Sequence, residues 1–469
     1  MLAGDAQRNR LTIARCFGFL TSVLFRTRCG SSAVPLAPAR HTPWEDSVSN
    51  KTAPHQVADK RHWQSKLLTA AVVLTSAIAG AIPSNLFMQI DNPGPTADSL
   101  NSQFGTAVAA TGKIIYIGAP AYDQAAVDTG AVFAFNQKTG ASLGGPIFGG
   151  FAAAGDFVGT AITANNKYWV VGAPGSTIAG NANAGRILLV FNRIGDGVPI
   201  DNPLPGLGDN FGASVAIYKD TIAIGAPKDT GPGGGPGGSG AAYMLNVRVG
   251  AAVIGLIDPG ATVGDTAGKS VAVSKDYIVV GCPGRTVGGF AGSGAATVFS
   301  ATTGAYITTI NDPFPAADNN FGTAVAVSKT LISVGAPNTD LVLGTTPTSN
   351  VGVVYQFDGR TGSLVRQLSA FSSPTGAHFG SSLATDGKLL VVGSPDEFSG
   401  FDNGGVTHTF NYKTGVIIRN NVSNHPVTGG NFGKAAVVLK GGKYAVGEPF
   451  GQDASSNIVG AAYMYNKYP

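Results

Sequence analysis

The chain has 469 residues, of which only 12% are charged and 67 are glycine, a composition that suits short strands and tight turns rather than long helices. Its net charge of +4 is unevenly divided: residues 1–81 hold 10 Lys and Arg against 4 Asp and Glu, residues 82–469 hold 21 against 23. The longer part is therefore not basic, and nucleic-acid binding by it is excluded as a reading.

Residues 1–65 read as a targeting or disordered extension. Residues 1–40 carry six arginines (Arg8, Arg10, Arg15, Arg26, Arg28 and Arg40) against the single acid Asp5, a pattern shared with organelle transit peptides. Residues 66–83, "KLLTAAVVLTSAIAGAIP", follow Lys60 and Arg61 and end in small residues at Ala79-Gly80-Ala81. A basic flank, a short apolar core and a small-residue end describe a secretory signal cleaved near residue 81, or a signal anchor if uncleaved. Either places residues 84–469 outside the cell or in a lumen, an organelle lumen if the signal is bipartite. Cys16 and Cys29 lie in the extension and Cys282 stands alone beyond it, so no disulfide closes the remainder.

"NLFMQI", from Asn85 to Ile90, is a strand-like stub with no partner nearby. After it, one pattern occurs seven times, beginning near residues 104, 157, 211, 266, 321, 379 and 432. Complete examples are "FGTAVAATGKIIYIGAP" from Phe104, "FGASVAIYKDTIAIGAP" from Phe211 and "FGTAVAVSKTLISVGAP" from Phe321. Each copy reads as two strands around a near two-residue turn, such as Asn165-Asn166, Asp386-Gly387 or Gly441-Gly442, and Pro ends the second strand. That second strand is apolar on both sides, as a strand covered on both faces must be. A variable loop leads to a third strand ("GAVFAF", "GAAYML", "GVVYQF"), and a turn such as "FNQKTG" or "FDGRTG" to a fourth. In those turns Gly140, Gly304, Gly362 and Gly415 suit a left-handed position.

Four antiparallel strands every ~55 residues predict an all-β fold, a seven-bladed β-propeller of four-stranded blades. The last copy stops at "GAAYMYNKYP", after its third strand. Pairing the orphan strand at residues 85–90 with it would complete the last blade and cover an exposed edge.

The recurrent Phe-Gly and Gly-Ala-Pro pairs resemble the FG-GAP repeats best known from the N-terminal propeller of integrin α chains. The motif is whole at Phe104/Gly118, Phe211/Gly225 and Phe321/Gly335. It is weakened at Thr266, which lacks the Phe, at Val158, which reads as an insertion, and at Cys282, Ser394 and Glu448 in the Ala position. The resemblance implies an extracellular propeller for adhesion or ligand binding. Calcium-binding members carry a D-x-D-x-D-G loop between the two pairs; here that loop shrinks to "TGK", "NNK" or "KGGK". Calcium needs six to eight oxygen ligands, so no integrin-type calcium site and no cofactor is expected.

The turns between strands one and two and between three and four are short and share one end of the blade. The loops between strands two and three, and the crossings between blades, share the other and are long and irregular, the usual place for a binding site on a rigid scaffold. Only five of the 23 acids after residue 82 fall at short turns, which predicts an acidic rim on the long-loop face. Asp123, Asp229, Asp340, Asp396, Asp402, Glu448 and Asp453 are the candidate ligand-face residues. Against this stands the habit of loop Asp to cap its own backbone. Glu448, where other copies have Ala, reads either as a ligand or base with a raised pKa or as a side chain reaching solvent. His378, His408 and His425 match no metal spacing and read as ordinary packing. Asn421-Val422-Ser423 reads as an exposed glycosylation sequon at Asn421.

The expected function is non-enzymatic: a monomeric secreted or cell-surface module whose long-loop face binds an extracellular protein or glycan. Contact with a membrane would come only through residues 66–83. A lectin would need aromatic residues at equivalent loop positions, and Tyr122, Phe290, Phe398 and Phe450 are irregular. An enzyme with a site in the central channel would need polar first strands, and these read "TAVAA", "TAITA" and "ASVAI".

Overall fold

The computed structural model describes residues 85–93, 100–123, 126–147, 152–191, 197–230, 238–248, 250, 252–343, 346–370, 375–452 and 457–467. The segments read as extension (1–65) and as signal or anchor (66–83) lie outside the described residues. Among those described, no helix is long and apolar enough to cross a membrane.

The first strand, β1 (Leu86–Asp91), belongs to the last blade. The first blade is β2 (Ala107–Ala110), β3 (Ile114–Ala119) and β4 (Ala131–Asn136). The second is β5 (Ile162–Ala164), β6 (Tyr168–Ala173), β7 (Arg186–Phe191) and β8 (Val198–Asp201). The third is β9 (Ser214–Tyr218), β10 (Thr221–Ala226), β11 (Ala241–Asn246) and β12 (Val253–Leu256). The fourth is β13 (Ser270–Val273), β14 (Tyr277–Cys282), β15 (Ala295–Ser300) and β16 (Tyr306–Asn311). The fifth holds β17 (Ala324–Ser328), β18 (Leu331–Ala336), β21 (Val353–Asp358) and β22 (Leu364–Leu368). Its long loop folds into a further hairpin, β19 (Leu341–Leu343) with β20 (Thr346–Thr348), where the sequence suggested only an irregular segment. The sixth is β23 (Ser382–Thr385), β24 (Leu389–Ser394), β25 (Val406–Asn411) and β26 (Ile417–Val422). The seventh is β27 (Ala435–Val438), β28 (Tyr444–Glu448) and β29 (Ala461–Tyr465), with β1 as its fourth strand.

The ring is closed. β1 pairs antiparallel with β29, Met88 opposite Met464 and Ile90 opposite Ala462. The innermost strands β2, β5, β9, β13, β17, β23 and β27 each neighbour the next, and β27 neighbours β2. Second and third strands of each blade are buried on both faces, whereas the outer strands β16, β22 and β26 are largely exposed. One blade departs from the expected four strands: the fourth strand of the first blade is reduced to bridges between Val132 and Ile147 and between Phe135 and Ser142. Gly144-Gly145-Pro146 interrupts it, because Pro gives no N–H to the ladder and Gly adds no side chain to pack.

What joins blade to blade is a contact between backbones. In each copy the glycine after the Phe slot has positive φ and donates its N–H to the carbonyl of the Gly-Ala-Pro glycine in the same blade, for example Gly212 to Gly225 at 2.9 Å. Its own carbonyl then lies against the Gly-Ala-Pro glycine of the preceding blade. A Cβ on Gly118, Gly172, Gly225, Gly281, Gly335, Gly393 or Gly447 would sit 1.9–2.1 Å from the oxygen of Gly159, Gly212, Gly268, Gly322, Gly380, Gly433 or Gly105 respectively. Only glycine permits so close an approach.

The same geometry corrects the alignment of two copies. Phe104, Phe211 and Phe321 form parallel bridges with Gly460, Gly185 and Gly294, the glycines that open the third strand of the preceding blade. In the second and fourth copies the bridging residues are Val158, with Gly130, and Ala267, with Gly240. Val158 is therefore no insertion. It occupies the Phe slot, as Ala267 does, while Phe157 and Thr266 take the positive-φ position ahead of it that Asn210 and Asn320 hold elsewhere. Where a Phe fills the slot its ring packs edge-on against the third strand of its own blade, as Phe104 does on Phe133 and Phe135.

The short turns follow the expected chemistry. Gly140, Gly304, Gly362 and Gly415 have φ of +69° to +73°. At the Asn165-Asn166 turn, by contrast, Asn165 caps the turn through its side chain, accepting from the N–H groups of Lys167 and Tyr168. Gly447→Val should lower the stability of the purified chain by about 3 kcal/mol through overpacking against Gly105. Gly145→Ala, whose new methyl meets nothing within 4 Å, should leave the urea midpoint unchanged. Equal midpoints for the two variants would remove the glycine contact as the basis of closure.

Candidate binding face

The long-loop end of the ring is built by the segments after each Gly-Ala-Pro and by the crossings that lead to the next Phe slot. Side chains stitch these together across blades: Asn210, Asn320 and Asn431 donate to the carbonyls of Pro174, Pro283 and Pro395 of the preceding blade. The loops are thus anchored at their roots.

The structure separates the predicted ligand-face residues rather than gathering them. Asp123, Asp340 and Asp402 are exposed. Asp123 and Asp340 cap their own loops, accepting from the N–H of Asp128 at 2.8 Å and of Asn350 at 2.9 Å. Asp396 is half-buried, 2.7 Å from His378 Nδ1 and 3.1 Å from Asn431 Nδ2. Asp229 and Glu448 are buried, and Asp453 lies outside the described residues.

The expected acidic rim is corrected more widely. Asp156, Asp209, Asp265 and Asp312 are buried, as is Glu397. Asp156, Asp209 and Asp265 each stand two residues before the Phe slot, where Ser102 and Asn319 stand in other copies, also buried. There the carboxylate closes the crossing on itself: Asp209 accepts from Asn202 at 2.8 Å and Asp265 from the N–H of Thr262 at 2.9 Å. Burial raises the pKa of Asp156 and Asp209, against the hydrogen bonds each accepts. These acids are buried and hold the crossings.

A second set of buried polar groups was not anticipated. The residue two after the Gly-Ala-Pro proline packs on the third residue of strand three, and each blade solves that contact differently. In the first blade Tyr122 packs edge-on against Phe133, and in the third Tyr243 donates its hydroxyl to Asp229. In the fourth Arg285 bonds Asp265 at 2.6 Å and Asp258 at 2.7 Å, and Thr297 donates to Asp258 at 2.7 Å. In the sixth His408 Nε2 lies 2.7 Å from Glu397, with its Nδ1 2.9 Å from Asn420. His378 and His408 are therefore partners of carboxylates rather than ordinary packing. The type of residue changes from blade to blade, so no single copy of the repeat announces the contact.

The seventh blade has Gly451 at that place, and the space is filled by Glu448. Its carboxyl is fully buried instead of reaching solvent, accepting from Tyr463 at 2.6 Å and Ser423 at 2.8 Å through Oε2. Oε1 has no hydrogen-bond partner among the described residues. Burial pushes the pKa up to about 7, against the lowering effect of those two hydroxyls. Ser423 is buried, and Asn421 is half-buried in β26 with its amide donating to the Tyr444 hydroxyl. The sequon is thus part of the blade wall and is not displayed, because the outer strand turns its Asn side chain toward the seventh blade. Cys282 is buried, and burial pushes its thiol up to about 12, so it is neutral and inert at ordinary pH. Among the described residues no three His, Cys, Asp or Glu are placed to hold a metal ion.

The face also exposes apolar side chains. Leu204 and Leu207 in the crossing to the third blade, Ile257 and Val263 in the next, Phe314 in the one after and Phe290 in the fourth blade's loop are all exposed, Leu207 by 79% and Val263 by 70%. Phe398 and Phe401 add to them in the sixth blade. Of the loop aromatics read from the sequence, Phe290 and Phe398 are exposed, Phe450 is half-buried and Tyr122 is wholly buried.

Ring, blade count and closure define the class: this is a seven-bladed β-propeller. The family model of the FG-GAP repeat matches residues 206–245, spanning β9 to β11 and the intact Phe211/Gly225 motif. No curated protein matches the chain.

Glu448 yields a pH prediction. A carboxyl whose folded pKa is raised from 4.5 to about 7 contributes its stability below pH 4.5 and loses it as pH rises through 7. Relative to Glu448→Gln, the wild-type chain should therefore lose roughly 3 kcal/mol between pH 4 and pH 8. Thermal melts of the two proteins that stay parallel across that range would rule the assignment out.

Proposed function

We propose that this protein is a non-enzymatic, extracellular binding module whose long-loop face docks a protein ligand. The single observation that carries the reading is the apolar patch spread over neighbouring crossings from the second blade to the fifth: Leu204, Leu207, Ile257, Val263, Phe290 and Phe314. Water-facing apolar groups that a fold could have covered mark interaction surfaces. The two loops that carry the aromatics touch, since the Gly288 position lies against Pro315 and the Gly292 position against Asp318. The FG-GAP repeat supports the reading by kind, as such propellers are typically binding modules.

Export past a membrane, by a signal within residues 66–83, belongs to the same proposal. Exposed aromatics also suit stacking on sugar rings, so a glycan array is run beside the protein screen. The decisive comparison uses two variants of the full chain against any captured extracellular ligand. Leu207→Asp with Phe314→Asp should weaken binding at least about tenfold, the loss expected when apolar anchors are replaced by charge. Ile307→Asp, on the outer strand β16, with Val416→Asp, in the turn just before β26, should bind as wild type. Equal weakening by both pairs would refute a long-loop docking face. Mature N-terminal sequencing that finds residues 66–83 retained on an intracellular protein would refute the extracellular assignment.

A further inference from the structure

The residue that follows the Phe-slot glycine stands at the long-loop end of each innermost strand, around the mouth of the central channel. In five blades it is small and neutral: Thr106, Thr160, Ala213, Thr323 and Ser381. In the fourth and seventh blades it is lysine, Lys269 and Lys434. These blades are three steps apart round a ring of seven, so the two lysines face one another across the mouth. Lys228 joins them from the third blade. It follows the Gly-Ala-Pro whose glycine, Gly225, abuts the carbonyl of Gly268, the residue immediately before Lys269.

Among the described residues none of the three lysines forms an ion pair. All three have solvent-exposed side chains. The pKa of Lys269 is nevertheless lowered, first by desolvation inside the ring and then by Lys434 and Lys228, with no carboxylate acting in the opposite sense. Three ammonium groups brought from three blades to one opening repel each other unless an anion lies between them. The surrounding hydroxyls of Thr106, Thr160, Thr323 and Ser381 donate to their own backbone and leave the lysines as the donors facing the opening.

We propose that Lys228, Lys269 and Lys434 form a receptor for a multiply charged oxyanion, a phosphate or sulfate group, at the long-loop mouth of the central channel. Three mobile ammonium donors give charge-assisted hydrogen bonds to several oxygens at once, a geometry suited to a tetrahedral anion. The site is independent of the apolar patch and is tested without any protein ligand.

The test titrates the full chain with sodium phosphate and with sodium sulfate, at constant ionic strength in chloride, with acetate as the singly charged control. Saturable stabilisation by phosphate or sulfate but not acetate is expected, and the better of the two identifies the group. Lys269→Met and Lys434→Met should each weaken that response on the order of tenfold, the effect of losing one charge-assisted contact. Lys113→Met, at a short turn on the opposite face, should leave it unchanged. On the wild-type chain at pH 8, acetic anhydride should label Lys269 several-fold faster than Lys113, and saturating anion should protect it. An absent or unsaturable response, a response equal in all variants, or labelling of Lys269 that is neither faster nor protected would each overturn the proposal.

Discussion

Everything in this propeller depends on one peptide lying flat against another. The glycine that follows the Phe slot turns its carbonyl into the Cα of the Gly-Ala-Pro glycine one blade back, and the contact recurs at all seven junctions, Gly447 to Gly105 included. Neither residue tolerates a side chain there. This explains how the copies are allowed to differ. Phe gives way to Val158 and Ala267, and the Ala of Gly-Ala-Pro to Cys282, Ser394 and Glu448, yet both glycines stand in every copy. Apolar bulk in the Phe slot fills space that neighbours can fill in other ways. An approach of backbone on backbone has no substitute.

Away from that contact the blades are free to vary, and they do so in their polar interiors. Beneath the long loops an aromatic pair, a tyrosine on a carboxylate, an arginine between two aspartates, an imidazole on a glutamate and a protonatable glutamate under two hydroxyls occupy corresponding places. They find their partners locally, as buried polar groups do, although Glu448 Oε1 has none among the described residues. The blades therefore share a backbone and differ in chemistry, so that Arg285 at the place of Tyr122 in the first blade would meet Phe133 and find no counter-charge.

Periodicity made the architecture legible from residues alone: the strand count, the split between short-turn and long-loop ends, and the marriage of Leu86–Asp91 to Ala461–Tyr465 all follow from motif spacing and from a missing fourth strand. The site was far less legible. Aspartates in loops were read as a rim because loops lie on surfaces, but the position two before the Phe slot points inward, and Asp156, Asp209 and Asp265 share it. Recognising this required knowing that Val158 and Ala267 fill the slot, which only the bridges to Gly130 and Gly240 reveal. Lys269 and Lys434 were visible in "GKSVAV" and "GKAAVV" but passed among small first-strand residues, since convergence across a channel is not a property of sequence neighbours. The exposed apolar side chains of the crossings, Leu207 and Val263 among them, had no periodic signature at all.

Because the outermost strand of the last blade is supplied by Leu86–Asp91, the first of the described strands is also the last to find its place. It leaves the ribosome hundreds of residues before β29 exists. Six blades can collapse locally during synthesis, but the ring cannot lock until β29 has been made, and contacts between distant segments form slowly. For that interval β1 has no partner strand, and its bare edge is a template for pairing with another chain. The circle is thus open for as long as the chain between Asp91 and Ala461 takes to be made.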